Sequence, residues 1–193
     1  LPAARYSLAA ASLPDGRVLA IGGQSGPAQS TVYRYDPAAD SWTTVAPLPA
    51  ARDSLAAASL PDGRVLAIGG WDGSAVQSTV YRYDPSGDSW STVAPLPAAR
   101  YSLAAASLPD GRVLAVGGSS GGAQSTVYRY DPSGNSWSTV APLPAARYML
   151  AAAALQDGRV LAIGGYDSAV RQTVYGYGAL TGRPTLIGWL ASR

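Results

Sequence analysis

Residues 17–42 read RVLAIGGQSGPAQSTVYRYDPAADSW. Residues 17–21 form a compact apolar strand, closed by Gly22 and Gly23, which remove side chains where the chain must turn sharply or approach another backbone. Residues 31–35 alternate Val32 and Arg34 against Tyr33 and Tyr35, β-branched and aromatic types that favour extended backbone, and Asp36-Pro37 starts a turn. Residues 41–46 read as the next strand. Upstream, residues 6–13 are small and aliphatic and end in Leu13-Pro14-Asp15-Gly16, where Asp-Gly supplies the positive φ of a tight hairpin. Four short strands in succession follow. The stretch SLAAAS at 7–12 contains good helix formers, but six residues between turns are too few to nucleate a stable helix.

The unit then repeats. LPAAR recurs at Leu1, Leu48, Leu96 and Leu143, and the glycine pair at Gly22, Gly69, Gly117 and Gly164, giving spacings of 47, 48 and 47 residues. TVYRYDP stands at 31–37, 79–85 and 126–132, with Trp42, Trp90 and Trp137 each seven residues after the second Tyr. Repeats of about 1–47, 48–95, 96–142 and 143–193 are expected to form one domain spanning 1–193. The fourth copy keeps Thr173, Val174, Tyr175 and Tyr177 but has Pro184 where spacing places the aromatic. Residues 185–190 are expected to supply its outer strand, with Trp189 replacing that aromatic, because an uncovered third strand would leave a long open edge.

Composition narrows the chemistry. The 193 residues include no Cys, His or Phe, all basic residues are Arg and all acidic ones Asp, and the net charge is +2. Without His or Cys there is no Ser-His-Asp or Cys-His apparatus and none of the usual zinc or copper ligand sets, so neither catalysis nor a cofactor or metal is expected. The charges are scattered at repeat spacing, so nucleic acid is not an expected partner. Apolar runs stop well short of the roughly 18 residues a membrane helix needs, so no membrane partner is expected either. Cysteine usage leaves the compartment undetermined.

With the repeat in register, the chain resembles the kelch family. The residues that carry the resemblance are Arg5, Gly22, Gly23, Tyr35 and Trp42; Arg52, Gly69, Gly70, Tyr83 and Trp90; Arg100, Gly117, Gly118, Tyr130 and Trp137; and Arg147, Gly164, Gly165 and Tyr177. The resemblance implies an all-β, kelch-type β-propeller with four blades per chain and four antiparallel strands per blade. It also implies that strand one lies beside the central channel, and that residues after the glycine pair and at the start of strand one line the ligand pocket.

Variation among the copies falls at the same two places. LPDG is identical in the first three copies, whereas the segments after the glycine pair read QSGPAQS, WDGSAVQS, SSGGAQS and YDSAVRQ. Strand one begins with Tyr6, Asp53, Tyr101 and Tyr148 in turn. Antiparallel strands put both variable sites on one end of each blade. The candidate ligand-binding rim is therefore Tyr6, Trp71, Asp72, Tyr101, Tyr148, Tyr166, Asp167 and Arg171, since aromatics and Arg supply most contact energy at interfaces. Unconstrained drift of loops after duplication accounts for the same pattern equally simply. Arg5, Arg52, Arg100 and Arg147 read either as blade-locking groups or as a positive ring; Arg34, Arg82 and Arg129, with Asp36, Asp84 and Asp131 just beyond, read as structural.

Three function classes stay open at this level: a binding scaffold for a protein, peptide or glycan; a lectin or sugar-directed enzyme using Asp, Tyr and Arg; and an amplified or designed repeat protein whose property is self-assembly. A blade buries its two faces only against neighbours, so a four-repeat array is expected to pair as a homodimer closing an eight-bladed ring.

Overall fold

The computed structural model describes residues 1–178 and the backbone of 189–191. Every described element is a strand, and they fall into four sheets of four. The first blade is β1 (Ala9–Ser12), β2 (Val18–Ile21), β3 (Val32–Asp36) and β4 (Ser41–Val45); the second is β5 (Ala56–Ser59), β6 (Val65–Ile68), β7 (Val80–Asp84) and β8 (Ser89–Val93). The third is β9 (Ala104–Ser107), β10 (Val113–Val116), β11 (Val127–Asp131) and β12 (Ser136–Val140); the fourth is β13 (Ala151–Ala154), β14 (Val160–Ile163), β15 (Val174–Tyr177) and β16 (Trp189–Ala191). Each sheet is an antiparallel meander in chain order. No helix occurs among the described residues, so none there could cross a membrane.

Observed strands match the expected ones within a residue except strand one, which starts at Ala9 rather than residue 6. Ser7, and Ser54, Ser102 and Met149 at the same place, adopt positive φ of 54, 51, 51 and 53°, which ends extended pairing there. In the fourth blade Trp189 stands opposite Tyr177, the register in which Trp42 faces Tyr35, Trp90 faces Tyr83 and Trp137 faces Tyr130. The outer strand thus forms at 189–191; residues 185–188 lie outside the described residues.

The chain divides into two compact units, Leu1–Tyr101 and Ser102–Arg193, each with two blades. Inside the first, Ala9, Ala11, Leu19, Ile21 and Val32 of the first blade pack on Val65, Ala67, Tyr81, Tyr83 and Trp90 of the second. Inside the second, Ala104, Ala106, Leu114, Val116 and Val127 pack on Val160, Ala162, Tyr175 and Tyr177. Alternation along the strands gives each pair two facing surfaces: an aliphatic one on the first and third blades and a Tyr-bearing one on the second and fourth.

Polar contacts lock the blades in register. Gly23 N–H donates to the Arg52 carbonyl (2.8 Å), and Arg52 N–H donates to the Gln29 carbonyl (3.0 Å). Trp90 Nε1 donates to the Ala46 carbonyl (2.9 Å), while Asp88 Oδ1 accepts from Ala46 N–H (3.0 Å) and the Tyr83 hydroxyl (2.7 Å). Asp36 and Asp84 pair with Arg17 and Arg64 of the first hairpin turn, at 2.8 and 3.2 Å, rather than with the arginines of strand three.

Candidate functional site

The rim is built where β2 leaves its sheet. At Gly23, φ is 91° and an added Cβ would fall 2.9 Å from both the Leu8 Cβ and the Tyr6 carbonyl oxygen, so only glycine lets the loop lie this close to the approach to strand one. That approach makes the two variable positions hydrogen-bonded cross-strand partners. Tyr6 and Gln24 exchange backbone bonds of 3.0 and 2.8 Å, Asp53 and Trp71 two of 2.9 Å, and Tyr148 and Tyr166 two of 3.0 and 2.8 Å.

In the first unit, Trp71 and Tyr101 meet edge to face with ring centroids 6.4 Å apart, and Tyr6 is 60% exposed. Asp72 turns into its own loop: its Oδ1 accepts from Ser74 N–H (2.7 Å), the Ser74 hydroxyl (2.8 Å) and Ala75 N–H (2.8 Å), and its Oδ2 from Gln77 Nε2 (2.6 Å). The Ala75 and Ser74 donors hold its carboxyl down at about 2. Asp53 is buried and accepts from the Ser54 hydroxyl at 2.8 Å.

In the second unit, Tyr148 and Tyr166 pack edge to face at 5.4 Å. Arg171 clasps Asp167, Nη2 to Oδ1 at 2.8 Å, and this bond pushes the Asp167 carboxyl well below the usual carboxylate range. The predicted residues therefore form two clusters, Trp71 with Tyr101 and Tyr148 with Tyr166, Asp167 and Arg171. Aromatic faces are what they offer a ligand; Asp72 is spent on shaping its loop. Sequence reasoning missed Met149 and Val170, which stand exposed on the same rim of the fourth blade. The available signal was the chain's single Met at a place where the other copies carry Ser.

Of the arginines before strand one, Arg52, Arg100 and Arg147 are buried and Arg5 is half-buried. Arg52 is 3% exposed; its Nη2 donates to Thr79 Oγ1 (2.9 Å) and the Tyr81 hydroxyl (3.3 Å), with the guanidinium 5.3 Å from the Tyr81 ring centroid. Arg147 repeats this with Thr173 and Tyr175. Among the described residues no three acidic side chains gather as a metal site.

The model of the KLHDC2/KLHL20/DRC7 Kelch-repeats domain family matches residues 1–171. The chain belongs to the kelch-repeat family. Its blades are those of a kelch-type β-propeller, and the glycine pair, Tyr and Trp of the kelch repeat are the residues that here make the loop approach and the blade-to-blade bonds. Among curated proteins, none matches the chain.

The kelch rim has a pH signature. A carboxyl depressed in the folded state contributes stability above its ordinary pKa and loses it as pH falls through the folded value. The Asp72 loop is therefore expected to hold down to pH 3.8 and loosen as pH falls through about 2. Backbone amide shifts of Ser74 and Ala75 should titrate with a midpoint at about 2; a midpoint at the ordinary 3.8 would contradict the hydrogen-bonded loop.

Proposed function

We propose that this kelch propeller is a non-catalytic binding scaffold that takes a peptide, protein or glycan ligand on the variable ends of its blades, which carry Tyr6, Trp71 and Tyr101 in the first unit and Tyr148, Tyr166 and Arg171 in the second. The observation that carries the reading is the backbone pairing of the two variable positions, which concentrates the differences between near-identical repeats on one end of each sheet. A rigid sheet presenting variable aromatic residues from its loops is the arrangement that binding modules use.

The carboxylate alternative has less support. Glycoside hydrolysis needs two carboxylates facing one cavity. Here Asp15, Asp62, Asp110 and Asp157 pair with hairpin arginines, Asp40 and Asp88 with Tyr hydroxyls, and Asp72 and Asp167 with their own loops.

Glycan arrays and a displayed peptide library, screened with the purified chain, test the proposal. For a ligand so found, Trp71→Ala is expected to weaken binding at least ~30-fold, about 2 kcal/mol, as loss of a central aromatic anchor does. Asp110→Ala, at the opposite end of its blade, should leave affinity unchanged. Equal affinity for Trp71→Ala and the parent chain would overturn the assignment of the rim.

A further inference from the structure

Position 53 breaks the pattern of the rim. Strand one is approached through Tyr6, Tyr101 and Tyr148 in the other copies and through Asp53 in the second. Asp53 and Trp71, like Tyr148 and Tyr166, exchange two backbone hydrogen bonds, so each pair stands side by side on one face of its ladder with Cβ atoms about 5 Å apart. In the fourth blade this sets ring against ring, Tyr148 edge to face on Tyr166. In the second blade a carboxylate takes the place of that ring, and Trp71 meets Tyr101 instead.

That carboxylate is buried and short of partners. Asp53 is 5% exposed, the one buried acidic side chain among the described residues. Among those residues its carboxylate has one donor, the Ser54 hydroxyl on Oδ1 at 2.8 Å; no arginine pairs with it, and Oδ2, which is not sealed from solvent, accepts no hydrogen bond. Other carboxylates of the same unit are better served: Asp36 and Asp84 sit on arginines, and Asp88 takes the Ala46 N–H and the Tyr83 hydroxyl. Arg52, next in sequence, turns its guanidinium to the Ala51 carbonyl, Thr79 and Tyr81. A charge taken out of water for a single hydroxyl is costly, and a cation placed against it offsets that cost.

We infer that Asp53, Trp71 and Tyr101 form a subsite for a cationic side chain of a bound peptide, the ammonium of a lysine or the guanidinium of an arginine. The inference rests on the reading of the rim as a binding surface and gives that surface a chemical class of ligand. Asp53 supplies the counter-charge. The Trp71 and Tyr101 rings, inclined at 62° and only partly buried, supply π faces that attract a cation. All three residues belong to the first unit, and backbone bonds hold them in place: Asp53 with Trp71, and Gly70 N–H on the Arg100 carbonyl (2.7 Å) beside Tyr101. Asp72 does not compete, because its own loop occupies both of its oxygens. Common glycans carry neutral or acidic groups, so a cation subsite favours a peptide.

Blocked pentapeptides Gly-Ser-X-Ser-Gly, with X lysine, arginine, norleucine or glutamate, test this at millimolar concentration on the Trp71 indole N–H resonance, assigned by its loss in Trp71→Phe. The lysine or the arginine peptide is expected to move that resonance saturably, the tighter of the two naming the head group, and to bind at least ~10-fold more tightly than the norleucine and glutamate peptides. Asp53→Asn keeps the side chain's shape, and Asp53→Tyr restores the residue of the other copies, so both should fold with unchanged far-ultraviolet circular dichroism. Each should lose the preference for a cation. No response to either cation, an equal response to norleucine, or a preference that survives Asp53→Asn overturns the inference. The rim reading fails separately: a library ligand lost in Trp71→Ala but indifferent to Asp53→Asn sinks the cation subsite and leaves the rim, whereas a ligand indifferent to Trp71→Ala sinks the rim itself.

Discussion

Gly69→Val is expected to lower stability by ~3 kcal/mol or more, summing a left-handed backbone forced on a β-branched residue and a broken backbone hydrogen bond. Gly69 has φ of 62°, and a Cβ there would overlap the Arg100 carbonyl oxygen, the acceptor that Gly70 N–H reaches at 2.7 Å. The side chain can be admitted only by pushing that carbonyl away and losing the bond. Gly73→Val is the control: φ is 99°, but nothing lies within 4 Å of its added Cβ, so only the backbone cost of about 1–2 kcal/mol remains. Urea unfolding of both variants separates the effects. Equal losses would mean that close approach of the next segment is not what the first glycine of the pair serves.

Tyr83→Ala is expected to cost ~3–5 kcal/mol, the usual range for removing a buried aromatic. Tyr83 is fully buried in the contact between the first two blades, its ring centroid lies 5.0 Å from that of Trp90, and its hydroxyl holds the Asp88 carboxylate that in turn accepts the Ala46 N–H. Tyr83→Phe should cost only about 1 kcal/mol, since the ring stays and one hydrogen bond is lost. Tyr35, its counterpart in the first blade, keeps the partner hydroxyl bond to Asp40 at 2.6 Å but is only partly buried, so Tyr35→Ala should cost clearly less in the single chain. Burial and the Asp88 bond also push the Tyr83 hydroxyl pKa up. Its contribution is complete below the ordinary value of 10 and declines as pH rises beyond it, so alkaline unfolding should set in above pH 10.

Much of this was legible in the repeat itself. The strand boundaries follow from alternation and turn residues, and the Tyr and Trp seven residues apart in sequence do face each other across β3 and β4. Trp189 was legible by chemistry rather than by spacing: it stands twelve residues after Tyr177, yet pairs opposite it. The two glycines of the first two pairs look alike in sequence but answer different neighbours, the first a carbonyl of the following segment and the second the approach to strand one of its own blade. Only contacts between repeats reveal that division.

The rim was less legible, because sequence variation marks which positions differ and not where their polar atoms point. Asp72 and Trp71 are adjacent, but Asp72 folds back on Ser74, Ala75 and Gln77 while Trp71 meets Tyr101. Pairing of Asp36 with Arg17 rather than with a strand-three arginine has the same origin. Arg34 and Asp36 lie on one strand two residues apart, whereas the hairpin before β2 brings Arg17 alongside.

The central claim is that one end of each kelch blade is the binding surface. Backbone amide chemical shifts, recorded with and without the tightest ligand from the array or library screen, test it most directly. The account predicts changes confined to the rim, at residues 6–7, 24–29, 71–77, 148–149 and 166–171, and silence at the opposite turns 13–16, 60–63 and 108–111. Perturbation centred on those turns, with the rim unmoved, would contradict it.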